Sequence, residues 1–322
     1  WALVFALSAG VVGCTSDGDD DARIVRPDVP LGVGRAYPIE SVVFNTVDGV
    51  PVSAVFGKIS GQSRLPAVIL VHDIGSPNAG AEWLTSGFFE HLLENQLQPL
   101  AIDLRGHGDS GWAADGDYLL EAYGRDVESI IQAFDRPIAL VGASRGGQSA
   151  LVGGSRRADL VRLIMLADVA PYMVDDGVDD IRGFFRASDS GFASLEEAAD
   201  VLHTHLGQPR LPDVSGLAKS MREADGRLFW HWDPRTTAPE FLHPPSEGEA
   251  LIIAARRAQS PLVLVKAELS EIVSDESVRQ FRSLTPQLEV EIAHGVGHMF
   301  TGDRNDAFAD RLLHHLALHL PL

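Results

Sequence analysis

Between residues 66 and 167 the chain alternates short, almost wholly apolar runs with stretches whose apolar residues recur every three or four positions. The runs are "PAVILVH" (66–72), "QPLAIDL" (98–104), "PIALVGA" (137–143) and "VRLIMLA" (161–167), and helices are predicted near 81–94, near 117–134 and from Ser144. A strand that is apolar on both faces must be covered on both. A parallel sheet with a helix in every crossover achieves that, so the alternation predicts an α/β fold. Within the second helical stretch Leu120, Tyr123, Val127, Ile130, Ile131 and Phe134 share one face, which should pack on the sheet. Upstream, "SVVFNTVDGVPVSAVFGKI" reads as two strands turning at Asp48-Gly49.

The alternation stops after Ala167 and returns with "PLVLVKA" (261–267), a helix over 275–284, "LEVEIAH" (288–294) and a last helix from about 305. The intervening stretch is richer in charge and in helical periods. It predicts a core of residues 39–169 and 256–322 carrying a helical cap insertion over 170–255. Residues 14–38, acidic and proline-spaced with no apolar period, read as a flexible tether.

Composition narrows the function classes. A net charge of −19, with only Lys58, Lys219 and Lys266 as lysines, opposes binding to nucleic acid. The single cysteine, Cys14, excludes an intramolecular disulfide. The stretch "WALVFALSAGVVGC" resembles the end of a bacterial lipoprotein signal peptide over 1–13, with Val11-Val12-Gly13-Cys14 as lipobox. The resemblance implies a preceding basic segment, export, and membrane attachment through lipidated Cys14; the alternative is an ordinary secretory signal with a free cysteine.

In Gly142-Ala143-Ser144-Arg145-Gly146 a serine sits where a buried strand must turn sharply into a helix, and glycines two residues to either side let the two elements approach. The turn would project Ser144 outward at a helix N-terminus, where free N–H groups favour developing negative charge. A serine hydroxyl needs a base, and the base an orienting acid. His298, in the glycine-bordered "HGVGHM", is the predicted base, ahead of His294; His314, His315 and His319 read as surface or packing residues of the last helix. For the acid, "ELSEIVS" offers Glu268 and Glu271. Glu271 is favoured because it lies one loop beyond the strand, with Asp168 as the alternative acid and Asp275 as a helix-start residue. The oxyanion donors are predicted to be the backbone N–H groups of Arg145 and Ile74.

Together "LVHDIGS", "AIDLRGHGDS", "GASRGG", "VKAELSEIVS" and "GVGHM" resemble the α/β-hydrolase family from about residue 40 onward, in that family's order of serine, acid and histidine. The likeness is greatest to its capped bacterial esterase-like branch. It implies a mostly parallel eight-stranded sheet flanked by helices, an inserted cap, no cofactor, and a small-molecule ester as substrate. The chain departs from the family at His72-Asp73, where His-Gly is usual, and at Ser270-Glu271, where Ser-Asp is common. A serine nucleophile argues against epoxide opening and halide displacement, which use an aspartate. Hydrolysis of a lactone or a carbon–carbon bond beside a carbonyl, or a catalytically silent binding role, are the other readings.

Phe184, Phe185 and Trp230 are candidate substrate-pocket residues, although "LFWHWDP" (228–234) equally suits an anchor between cap and core. Asp103, Arg105 and His107 read as shaping a loop beside the site. His203 and His205 lack partners at metal-ligand spacing, and "SDGDDDAR" lacks the glycine and glutamate of a calcium loop, so no metal is expected.

Overall fold

Three strands buried at every position form the centre of the sheet, β3 (Ala67–Val71), β4 (Gln98–Ile102) and β5 (Ile138–Ala143), preceded by the hairpin strands β1 (Ile39–Asn45) and β2 (Pro51–Gly57). With β6 (Val161–Ala167), β9 (Leu262–Ala267) and β10 (Glu289–Ala293) they make one eight-stranded sheet in the order β1-β2-β4-β3-β5-β6-β9-β10. Only β2 runs opposite to the other strands. The computed structural model describes residues 37–59, 65–84, 86–134, 136–206, 213–242, 244–298, 301 and 306–320, so the predicted signal, Cys14 and nearly all of the tether lie outside the described residues. Among those described, no helix is long and apolar enough to cross a membrane.

The alternation of strand side chains splits the core into two layers. Ile69 and Val71 face helices α2 (Leu120–Gln132), α3 (Arg145–Gly154), α6 (Pro245–Arg257) and α7 (Asp275–Leu284), whereas Val68 and Leu70 face α1 (Phe88–Glu94) and α8 (Asp306–His319). Helix α2 shows what holds a layer: Leu120, Tyr123, Val127, Ile130 and Ile131 are each at most 1% exposed, worth about 2 kcal/mol apiece. A capping box between Ser274 and Ser277 starts α7 at Asp275.

The segment predicted as one helical insertion over 170–255 divides in the structure. Helices α4 (Asp175–Ser188) and α5 (Leu195–Leu206) and an antiparallel hairpin, β7 (Met221–Ala224) with β8 (Arg227–Trp230), share a separate apolar cluster. Helix α6 instead buries Leu251, Ala254 and Ala255 in the main core. The cap is therefore part hairpin, and its last helix belongs to the core.

The chain passes from β3 outward to β4 and then returns to β5 on the other side of β3. Such a reversal opens a crevice at the C-terminal strand ends, where ligands bind in open α/β sheets. His72, Ser144, Asp168, Glu268 and His294 directly follow β3, β5, β6, β9 and β10, at that end.

Candidate active site

Ser144 carries φ 45° and ψ −116°, a left-handed conformation that costs a residue with a side chain about 1–3 kcal/mol. The surroundings impose it. A Cβ on Gly142 would lie 2.5 Å from the Gly146 backbone, and one on Gly146 would lie 2.3 Å from the Val71 carbonyl oxygen. Only glycine at both positions lets α3 leave β5 this closely over β3. The Ser144 N–H donates to the Ala167 carbonyl at 3.1 Å, tying the turn to β6. The side chain of Arg145 points away from the turn, to Glu247 Oε1 at 2.7 Å and the Phe241 carbonyl at 2.9 Å. Its backbone N–H, in the first turn of α3, has no acceptor within the helix and remains suited to an oxyanion.

The acid beside His298 is Asp168, not Glu271. Asp168 Oδ2 accepts from His298 Nδ1 at 2.9 Å and from Ser270 Oγ at 2.6 Å, and Oδ1 accepts the Ala267 N–H at 2.9 Å. Glu271 fails for a local reason. Ser270 turns toward β6, its Oγ accepting the Val273 N–H at 2.9 Å, so the next residue faces outward and is exposed. Glu268 is also turned away, onto the Gly295 N–H at 2.8 Å.

Because β5 and β6 pair with Ala143 opposite Ala167, Ser144 and Asp168 emerge side by side, about 5 Å apart at strand spacing. A ring held on Asp168 by Nδ1–H keeps Nε2 as the nitrogen able to accept a proton. Among the described residues no hydrogen bond yet joins Ser144 Oγ to that nitrogen; such bonds often close only around substrate. Burial opposes charge on His298, but the hydrogen bond and charge of Asp168, with the charges of Asp73 and Glu82, raise its pKa above the ordinary value.

The loop after β3 differs from the prediction. Its Ile74 N–H is not open: it donates to Asp73 Oδ1 at 2.7 Å, while the Gly75 N–H reaches Oδ2 at 3.3 Å. The cause is the aspartate itself, whose carboxylate folds back over the next two N–H groups. His72 fixes the loop from beneath. Its Nε2 accepts the Leu104 N–H at 2.9 Å, which leaves Nδ1 protonated to donate to the Asp73 carbonyl at 2.6 Å. Burial, then His107, pushes the His72 pKa down to about 3, so the ring stays neutral. His107 Nε2 meets the Ile74 carbonyl at 2.9 Å, and Asp103 holds the Ala79 and Asp109 N–H groups at 2.8 and 2.9 Å. Arg105 is locked on Asp126 by two bonds of 2.6 Å. These three residues shape the loop wall through those bonds.

A family model described as "Alpha/beta hydrolase family" matches residues 68–311. The chain belongs to the alpha/beta hydrolase family. It is similar to the sn-1-specific diacylglycerol lipase ABHD11 of Mus musculus, 23% identical over 98% of this chain and 99% of that protein. It is also similar to the esterase Rv0045c of Mycobacterium tuberculosis, 27% identical over 76% of this chain and 80% of that one. The thioesterase domain from the curacin biosynthetic pathway shares the fold, with a TM-score of 0.67 and 19% identity over 86% of this chain and 99% of that domain.

One residue of this hydrolase, Glu82, escaped prediction. Buried Glu82 accepts the Asp73 N–H at 2.8 Å and Ser76 Oγ at 2.7 Å on one oxygen, and Thr301 Oγ1 at 2.7 Å on the other. It therefore clamps the loop after β3 to the segment bearing His298. The signal was a lone acid in "GAEWL", a π-helical turn over Gly80–Leu84. Burial first, then the charge of Asp73, pushes the Glu82 carboxyl up to about 7.

The folded chain thus keeps a Glu82 proton that the unfolded chain releases near 4.5, and this contribution to stability is lost as pH rises toward 7. At about 1.4 kcal/mol per pH unit, the stability advantage of wild type over Glu82→Gln is expected to shrink by roughly 3 kcal/mol across that interval. Urea denaturation of both proteins at several pH values measures it.

Phe184, Phe185 and Trp230, predicted to line a pocket, are 3%, 3% and 7% exposed and pack mainly on one another. Phe184 lies 5.0 Å from Phe185, and Trp230 stacks on Trp232 at 5.3 Å. Trp232 rests against His107 at 5.9 Å, and Ile74 joins the same cluster. The aromatics therefore seat the cap on the loop after β3. Phe185, Trp230 and Trp232 also border a small open cleft whose lining includes neither Ser144 nor His298.

Proposed function

We propose that the chain is a carboxylesterase that cleaves small to medium hydrophobic esters through an acyl-enzyme on Ser144. The observation that carries this reading is the His298–Asp168 pair, seated at the end of β6 beside a strained serine. Asp168 holds the Nδ1–H tautomer, leaving Nε2 to accept the Ser144 proton as Oγ attacks the ester carbonyl. The carbonyl oxygen takes the charge, held by the Arg145 N–H. As the tetrahedral adduct collapses, the carbon–oxygen bond to the leaving alcohol breaks and His298 returns the proton to that alcohol. A water then gives its proton to Nε2 and attacks the acyl carbon, and release of the acid restores Ser144. The similarity to a lipase and an esterase supports the same class of bond.

Hydrolysis of p-nitrophenyl esters of two to twelve carbons, with fluorophosphonate labelling, tests the reading. It expects labelling at Ser144 and turnover highest for the shorter chains; no turnover and no label would refute it. We extend the proposal to an exported protein anchored through lipidated Cys14, tested by mass spectrometry of the mature N-terminus.

The Asp73 carboxylate occupies the N–H that a second oxyanion donor would offer. One such donor is worth about 10²–10³ in rate. Asp73→Gly keeps the backbone bond to Glu82 and frees Ile74, so kcat for p-nitrophenyl acetate is expected to rise about tenfold. An unchanged or lower kcat would exclude Ile74 as a donor.

A further inference from the structure

We propose that Glu289, His315 and His319 form a binding site for a divalent transition-metal ion of the zinc class, which clips helix α8 to the edge strand β10. His315 and His319 stand four residues apart in the last turn of α8, so both imidazoles project from one face, and their rings lie parallel within 4° at 6.4 Å. Glu289 opens β10 opposite them. One ligand atom from each of the three lies within 4.8 Å of the other two. Zinc takes nitrogen and carboxylate oxygen at about 2.0–2.2 Å in tetrahedral array, which puts neighbouring ligands a little over 3 Å apart. The three ligand atoms must therefore draw together by roughly 1–2 Å when the ion binds.

A second observation points to a ligand. His315 is only 2% exposed, yet neither of its ring nitrogens has a hydrogen-bond partner, and His319 Nε2 is buried without one as well. Buried polar groups are almost always paired, and leaving one unpaired costs about 1–3 kcal/mol. Carboxylates face both nitrogens of His315 at distances too long for good hydrogen bonds: Glu289 Oε2 lies 3.9 Å from Nδ1 and Glu291 Oε1 lies 3.5 Å from Nε2. Arg311 holds Glu291 at 2.7 Å, so that carboxylate is positioned to orient the ring. Nδ1 then meets the ion beside Glu289, while Nε2–H turns to Glu291, the carboxylate–histidine–metal arrangement that fixes a ligand's tautomer. Water completes the shell.

The location gives the ion a purpose. The segment carrying His298 and Thr301 joins the end of β10 to the start of α8, so a clip between Glu289 and the end of α8 ties the two flanking elements together at the ends remote from that segment. An ion that binds only the folded chain stabilises it by mass action.

Calorimetric titration of the metal-free full chain with Zn²⁺, and Co²⁺ absorption to report tetrahedral ligation, test the proposal. One ion per chain is expected, with saturating Zn²⁺ raising Tm by roughly 3–6 °C. His319→Ala and Glu289→Gln should each weaken binding about tenfold or more and abolish the Tm shift. Glu289 is exposed, so its variant keeps the fold if His319→Ala does not. Binding that survives both substitutions, or saturating Zn²⁺ without a Tm shift, overturns the proposal. None of these measurements depends on esterase activity.

Discussion

Asp168→Asn is expected to lower kcat by about 10⁴, whereas Glu271→Gln should leave it within about twofold. Asparagine fits the same space, and its carbonyl can still accept the Ala267 N–H that Oδ1 now accepts at 2.9 Å. Its amide then faces His298 Nδ1 as a donor, so the ring must carry its proton on Nε2, the atom that has to receive one from Ser144. The pH profile adds a second reading. His298 must be neutral to act as base, so activity falls as pH drops through its pKa. That pKa is raised above the ordinary 6.5 against the effect of burial, chiefly by Asp168. The acid limb of kcat/KM should therefore lie above pH 6.5 in wild type and move lower in Asp168→Asn. A large loss in Glu271→Gln with a small one in Asp168→Asn would return the role to the loop after β9.

The fold was legible because one physical demand, burial of apolar strands on both faces, writes itself into contiguous residues. The runs ending at Ala143, Ala167 and Ala267 end as strands there, and α7 spans 275–284 as the spacing predicted. The turn at Ser144 was legible for a similar reason, since Gly142 and Gly146 are demanded by contacts a few residues away and across one strand. The acid was not. Asp168 and Glu271 both follow apolar strands, and what separates them is the direction Ser270 takes in its loop, set by its bonds to Asp168 and Val273. Glu82 was harder still. Its partners Asp73, Ser76 and Thr301 span more than two hundred residues, and a single acid in a short helical turn carries no sign of them. Helix α6 looked like cap because its apolar period says only that one face is buried, not against which layer.

Ser144→Ala is expected to reduce kcat by about 10⁶ and to abolish fluorophosphonate labelling. His298→Ala should cost a similar amount, and the double variant little more than either alone, because proton and hydroxyl act as a unit and the second substitution finds nothing left to remove. Residual hydrolysis should still exceed that in water, since backbone donors such as the Arg145 N–H remain aimed at the carbonyl oxygen. Stability should move separately. Alanine inherits the φ of 45° that the serine endures, whereas glycine adopts it freely. Ser144→Gly should thus be as inactive as Ser144→Ala yet more stable by about 1 kcal/mol, the left-handed strain outweighing the extra freedom of an unfolded glycine. Equal stabilities in urea would mean that the turn is not under strain. A higher stability for the glycine variant would locate at this one residue a cost that the fold carries in order to expose a hydroxyl at the mouth of α3.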